Sequence, residues 1–167
     1  MIKSTSYISD LTILRANEND LKDIWQWRND EVTRQMAITK NSVSLEEHSR
    51  WYEKSLSNPN HYLYVGYLNN NEKIGICWFD INTKNNTADV SINLNPQQRG
   101  KNLSSRLLVK CLKDFWKHEK RDLTSTIKKA NIASIRCFTK ADFVLEKENG
   151  KYCHYIKKPP QNSHSGV

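Results

Sequence analysis

Hydrophobic and polar positions change period several times along the chain, and each change marks an element. Residues 89–94, DVSINL, alternate Val90, Ile92 and Leu94 with Asp89, Ser91 and Asn93, the period of a half-buried strand. Further on, Leu103, Leu107, Leu108, Cys111, Leu112 and Phe115 fall on one helical face. Between the two lies the polar stretch 95–102, NPQQRGKN, with Arg99 and Lys101 on either side of Gly100. The first N–H groups of a helix have no internal partner, and its aligned peptide dipoles place a partial positive charge there. Strand, basic turn and amphipathic helix in this order therefore make an anion cradle, suited to a phosphate-bearing ligand.

The rest of the chain reads in the same way. Residues 1–10 are polar and expected to form a flexible arm, and 11–16 (LTILRA) a first strand. Asn19 or Asp20 caps a helix carrying Leu21, Ile24, Trp25 and Arg28 on one face, broken by Asn29 and Asp30, and a short second helix follows over 31–37. Ser44-Leu45-Glu46-Glu47 has capping-box form and opens a helix with Leu45, His48, Tyr52 and Leu56 in one stripe and Trp51 beside it, ending near Ser57. Residues 62–68 and 73–81 form a hairpin, and a second polar turn at 82–86 leads into a strand over 87–94. After the long helix, Thr124 and Thr126 alternate with Leu123, Ser125 and Ile127 in a strand over 122–127. A short helix over 131–140 and strands over 143–146 and 152–157 complete the order, and 159–167 is expected to be a disordered tail. The pattern predicts one mixed α/β domain over 11–158, with a mostly antiparallel central sheet of about six to seven strands and flanking helices.

Composition narrows the ligand. The chain has 167 residues and a formal charge of +8, but its basic residues are spread out and lack the interleaved aromatic and basic strand pattern of an RNA binder. A polyphosphate ligand or acidic substrate fits this charge better than nucleic acid. The four cysteines, Cys77, Cys111, Cys137 and Cys153, include no CxxC pair, which leaves reduced, mostly buried thiols and no metal site. Residues 1–10 lack the apolar core of a signal peptide, and no apolar run approaches a membrane span, so the expected setting is the cytoplasm, with no membrane partner.

Two motifs give this layout a family. Arg99-Gly100-Lys101-Asn102-Leu103-Ser104 resembles the acetyl-CoA pyrophosphate loop Q/R-x-x-G-x-G/A of the GNAT superfamily of acyl-CoA N-acyltransferases. Residues 131–143, NIASIRCFTKADF, resemble the same superfamily's N-x-x-S-x-x-x-Y-x-K-x-G-F motif. The resemblance implies a fold splayed at the fourth and fifth strands, where a bulge at Ile92, Asn93 and Leu94 lets the pantetheine arm of acetyl-CoA pair with exposed backbone. A backbone N–H in that region then meets the thioester oxygen as it becomes negative. It implies that Asn131 holds the arm from the other side and that Lys140 occupies the motif's Lys position. Asn102 and Ser104 stand where the pattern has Gly and Gly or Ala, and Asn tolerates unusual backbone angles better than most residues. Phe138 stands where many relatives carry the Tyr that protonates the departing thiolate. Either the thiolate leaves without a dedicated acid, the favoured reading, or Tyr152 or Tyr155 stands in.

An amine near neutral pH must lose a proton before it attacks a thioester. The resemblance makes Asp89 the first candidate to accept it, usually through water, and Asp80 on the neighbouring strand the second. The segment Trp27-Arg28-Asn29-Asp30, with Ser44-Leu45-Glu46-Glu47-His48, Trp51 and Phe79-Asp80, is similar to amino-sugar N-acetyltransferases of the pseudaminic-acid pathway. That implies direct transfer to a nucleotide-linked 4-amino sugar, with Arg28, Asn29, Asp30, His48 and Trp51 facing the acceptor in a monomer or homodimer. Arg28 is suited to clamp a phosphate and is equally placed to pair with Asp30 or Glu31. A ribosomal-protein-type N-terminal acetyltransferase, an aminoglycoside-like polyamine acceptor and a non-catalytic acyl-CoA-binding module are the alternatives.

Overall fold

The computed structural model describes residues 10–69 and 71–161; residues 1–9 of the expected arm and 162–167 of the expected tail lie outside the described residues. Seven strands form a single sheet: β1 (Leu11–Arg15), β2 (His61–Leu68), β3 (Glu72–Asn82), β4 (Thr87–Leu94), β5 (Asp122–Lys128), β6 (Val144–Asn149) and β7 (Tyr152–Lys157), in the spatial order β1-β2-β3-β4-β5-β7-β6. Every neighbouring pair is antiparallel except β4 and β5. The helices are α1 (Leu21–Asn29), α2 (Glu31–Met36), α3 (Leu45–Ser57), α4 (Leu103–His118) and α5 (Ile132–Lys140).

Period-2 alternation gives the sheet two apolar faces, and each is buried under helices. On one face Leu107, Leu108, Cys111 and Phe115 of α4 and Cys137 and Phe138 of α5 meet Cys77, Phe79, Val90 and Leu123. Phe79 and Phe115 stack there with ring centroids 4.3 Å apart. On the other face Ile24 and Trp27 of α1 and Tyr52 of α3 meet Leu63, Val65 and Ile76. Asn17, rather than Asn19 or Asp20, supplies the cap ahead of α1, through a 3-10 turn in which Asp20 accepts from the Asn17 N–H; Asp30 caps α2, Ser44 accepts from the Glu47 N–H at α3, and Asn131 accepts from the Ser134 N–H at α5. All four cysteines are buried free thiols.

What positions the site is a fork. β4 and β5 pair only over Thr87–Asp89 and Asp122–Thr124, and beyond that rung they diverge. The expected bulge at Ile92, Asn93 and Leu94 is absent: β4 stays in unbroken register with β3, Cys77 opposite Ile92, Ile76 opposite Asn93 and Gly75 opposite Leu94. The one register shift in this meander lies between Gly66 and Tyr67 on β2. β5 is the strand that leaves. At the point of divergence the Ser125 hydroxyl donates to the Val90 carbonyl at 2.9 Å, a side-chain bond where a ladder would continue with a backbone N–H.

Gly75 lets β3 hold the outer end of β4. A Cβ there would sit 2.6 Å from the Asn93 carbonyl oxygen and 3.0 Å from the Leu94 Cα, both backbone atoms. Gly75→Ala is expected to push β4 off β3 and cost about 1–3 kcal/mol, read as a lower midpoint in thermal or urea unfolding; an unchanged midpoint would refute the account.

Candidate functional site

The fork opens into a cavity of about 680 Å³. One wall is β4 from Val90 to Leu94, another is β5 from Ser125 to Lys128; α2 and the loop after it close one rim, and the start of α5 closes the other. On the α1 and α3 side of the sheet, Ser91 and Thr126 flank the opening, with Trp78 behind Ser91 and His154 behind Thr126. The Thr126 hydroxyl lies 3.1 Å from His154 Nδ1. Apolar side chains mark the rim, where Val32, Ile38 and Ile132 are largely exposed.

The basic turn lies where β4 ends. Asn95 accepts from the Gln97 N–H and donates to the Lys73 carbonyl, and the fully buried Gln98 donates to Glu72 and accepts from Lys101. This pins the base of the turn to β3. Gly100 (φ 76°) and Asn102 (φ 55°) both adopt left-handed backbone, and Asn102 offers α4 no side-chain cap. The α4 N–H groups thus face the turn uncapped by that residue, and no Cβ intrudes at Gly100, the arrangement an anionic phosphate requires. The outer backbone of β4, without a β5 partner beyond Asp89, offers an extended ligand a strand edge. The residues present therefore fit acetyl-CoA. Asn131, Phe138, Ser104 and Leu94 line or border the same cavity, while Lys140 is exposed on α5 outside its lining.

Arg99 does something the sequence did not disclose. Its Nη2 meets Asp30 Oδ2 at 2.6 Å and Thr33 Oγ1 at 2.8 Å, tying the turn to α2. Asp30 also accepts from the Thr33 N–H, and Thr33 donates to Asn93 Oδ1 on β4. Desolvation would raise the Asp30 carboxyl, but the bonds from Arg99 and Thr33 and the Arg99 charge hold it below the usual carboxylate range. Arg28 thus pairs with neither Asp30 nor Glu31: its Nη2 donates to the Thr39 carbonyl, and its buried Nη1 has no hydrogen-bond partner among the described residues. Arg28 does line the cavity.

The other residues expected to face the acceptor are placed elsewhere. Asn29 clasps Val43, donating to its carbonyl and accepting its N–H, both at 2.8 Å, and Trp25 donates to the same carbonyl. Asn29 and Asp30 border a separate depression of about 410 Å³. His48 is buried on α3 against Trp51 and Tyr52, with desolvation and the Arg28 charge lowering its pKa, and neither His48 nor Trp51 lines the cavity. Tyr152 and Tyr155 also lie outside its lining. Phe138 packs edge-on against Phe143, and burial pushes the neighbouring Cys137 thiol up to about 11, which leaves it a poor nucleophile.

Asp80 and Asp89 face each other directly across β3 and β4, just below the fork. Asp89 keeps an exposed surface, yet protein atoms crowd its carboxylate; this desolvation pushes it up to about 6, with the Asp80 charge adding to the rise and the Thr124 hydroxyl, 3.3 Å away, opposing it. Desolvation also raises Asp80, against the pull of His61. Ser91, Ser125 and Thr126 were missed as site residues; the only sequence signal for them was strand alternation beside Asp89 and Thr124. Among the described residues no cluster could hold a metal ion, and no helix is long and apolar enough to cross a membrane.

Asp30→Ala removes both the α2 cap and the partner of Arg99. It is expected to lower stability by about 1–2 kcal/mol, and because Asp30 is held below its ordinary pKa, the loss should be seen above the ordinary carboxylate range and vanish as the pH falls below it. Urea unfolding at neutral and strongly acidic pH tests this.

The acetyltransferase (GNAT) domain family matches residues 10–144. No curated protein matches the sequence. Among solved structures, spermidine N-acetyltransferase from Vibrio cholerae, in complex with CoA and spermine, superposes with a TM-score of 0.80 at 18% identity, over 89% of this chain and 95% of its own. An aminoglycoside acetyltransferase, AAC(6')-Ib, in complex with coenzyme A gives 0.75 at 18% identity over 89% and 95%. A domain from Methanocaldococcus jannaschii gives 0.72 at 23% identity over 90% and 99%. With the family matched over most of the chain and the fork and turn in place, this protein belongs to the GNAT acetyltransferases.

Proposed function

We propose that this acetyltransferase acetylates the primary amine of a small molecule that also carries an anionic group, with a nucleotide-linked 4-amino sugar as the acceptor class. The observation that carries this reading is the charge of the cavity: Arg28, Arg99 and Lys128 line it, and no carboxylate is among its described lining residues. Lys128 gives one of its three ammonium donors to the Gln35 carbonyl at 3.1 Å and keeps two to offer a phosphate, beside the Arg28 guanidinium, while Arg99 is held by Asp30 through Nη2. Trp78 supplies a flat apolar wall beside Ser91.

Acetyl-CoA supplies the activated acetyl group. The turn 99–102 and the α4 N-terminus hold phosphate, and the unpaired edge of β4 at Ile92, Asn93 and Leu94 supplies backbone donors. Asp89, one rung below the opening, takes the amine's proton through water, with a basicity matched to near-neutral pH. Phe138 has no proton to give, so the thiolate leaves without a dedicated side-chain acid.

A second reading rests on the Asp80 and Asp89 pair, whose charge suits a polyamine acceptor, the class of ligand in the Vibrio cholerae relative. Acetyl transfer to a UDP-linked 4-amino sugar, spermidine, kanamycin and a short peptide separates the readings. The nucleotide sugar is expected to give the highest kcat/KM, with Arg28→Ala raising its KM about tenfold or more; preference for spermidine, indifferent to Arg28→Ala, would overturn the proposal. Because Asp89 must be ionised to act, kcat/KM is expected to rise with pH up to about 6 and then level. Asp89→Asn should remove that limb and lower kcat by about a hundredfold or more.

A further inference from the structure

Below the fork one cross-strand row holds more titratable chemistry than strand pairing needs. His61 on β2 lies opposite Asp80 on β3, Asp80 opposite Asp89 on β4, and Asp89 opposite Thr124 on β5. His61 Nε2 is 2.9 Å from Asp80 Oδ1, and the Thr124 hydroxyl is 3.3 Å from Asp89 Oδ1. Like charges directly opposite one another destabilise a sheet, and neither carboxylate belongs to either apolar core, so packing gives no reason for the pair. The imidazole is committed to it: His61 Nδ1 is buried with no partner among the described residues, which leaves Asp80 as the ring's polar contact.

We infer that Asp80, fixed by His61, is a positioning residue whose negative charge, held directly across from Asp89, keeps Asp89 able to take the acceptor's proton. The inference rests on Asp89 being the base. Asp80 acts through Asp89 and need not touch substrate. Burial does most to raise Asp89, and the Asp80 charge across the rung adds to it. On the same face, the neighbouring titratable groups are Asp122 on β5, in the rung with Thr87, and His154 on β7, behind Thr126. Neither is bonded to either carboxylate, so the link from His61 to Asp80 to Asp89 is the one to perturb.

Asp80→Asn removes a negative charge facing Asp89, makes its ionisation easier and should move the acid limb of the kcat/KM profile down by about half a unit to one unit, the size expected for two solvated unit charges at cross-strand distance. Relief of the like-charge contact should also raise the melting temperature of Asp80→Asn at neutral pH. A residue that only supports the strand would lower the melting temperature and leave the limb where it is.

The decisive measurement is independent of turnover: carbon-detected NMR titration of the Asp89 carboxyl in the wild-type protein and in Asp80→Asn. A downward shift in Asp80→Asn supports the inference. An Asp89 titration unmoved by Asp80→Asn overturns it. Failure of the base assignment itself shows differently, as an acid limb that survives Asp89→Asn.

Discussion

The structure depends on one interruption in its hydrogen bonding. Past the rung of Asp89 and Thr124, the backbone of β4 loses its partner on β5 while keeping β3 in register on the other side. An unpaired strand edge next to a core is costly unless water or a ligand satisfies it. The chain opens this edge by moving β5 away, with Ser125 bonding Val90 through its side chain at the branch, and Gly75 keeps the outer end of β4 close to β3. The cavity, the position of the basic turn and the approach to Asp89 all follow from that divergence.

Most of the architecture was legible because its cause is local. The alternation of Val90, Ile92 and Leu94, the stripe from Leu103 to Phe115 and the caps at Ser44 and Asn131 each act within a few residues, and β4 ends at Leu94 and α4 begins at Leu103 where those signals do. The left-handed conformation of Asn102 has the same character, since a residue with a short polar side chain tolerates that backbone better than most.

The site was less legible, because its decisive contacts are made by side chains far apart in sequence. Nothing near Arg99 announces that its guanidinium will be taken by Asp30 and Thr33, more than sixty residues earlier, so a cation expected at the phosphate turn also serves as a brace for α2. Asn29 looked like a polar group awaiting a ligand and is a clasp for Val43. The opposition of Asp80 and Asp89 depends on how many residues the 82–86 turn consumes, and shifting that register by one residue would have sent one carboxylate to the other face. The expected bulge failed for a related reason: a fork can be opened from either strand, and alternation within β4 does not say which strand leaves.

The brace of Arg99 on Asp30 and Thr33 ties the basic turn and the α2 rim of the cavity into one thermodynamic system. Thr33 also reaches Asn93 on β4, so the turn, α2 and the strand edge share a single hydrogen-bonded cluster. Any ligand group that draws Arg99 away from α2 changes the wall that the other ligand must meet. By linkage, the second ligand then alters the affinity for the first by the same factor. Coupling between a ligand at the turn and one against α2, in whichever direction, would thus run through the bonding of one guanidinium, with no moving domain required.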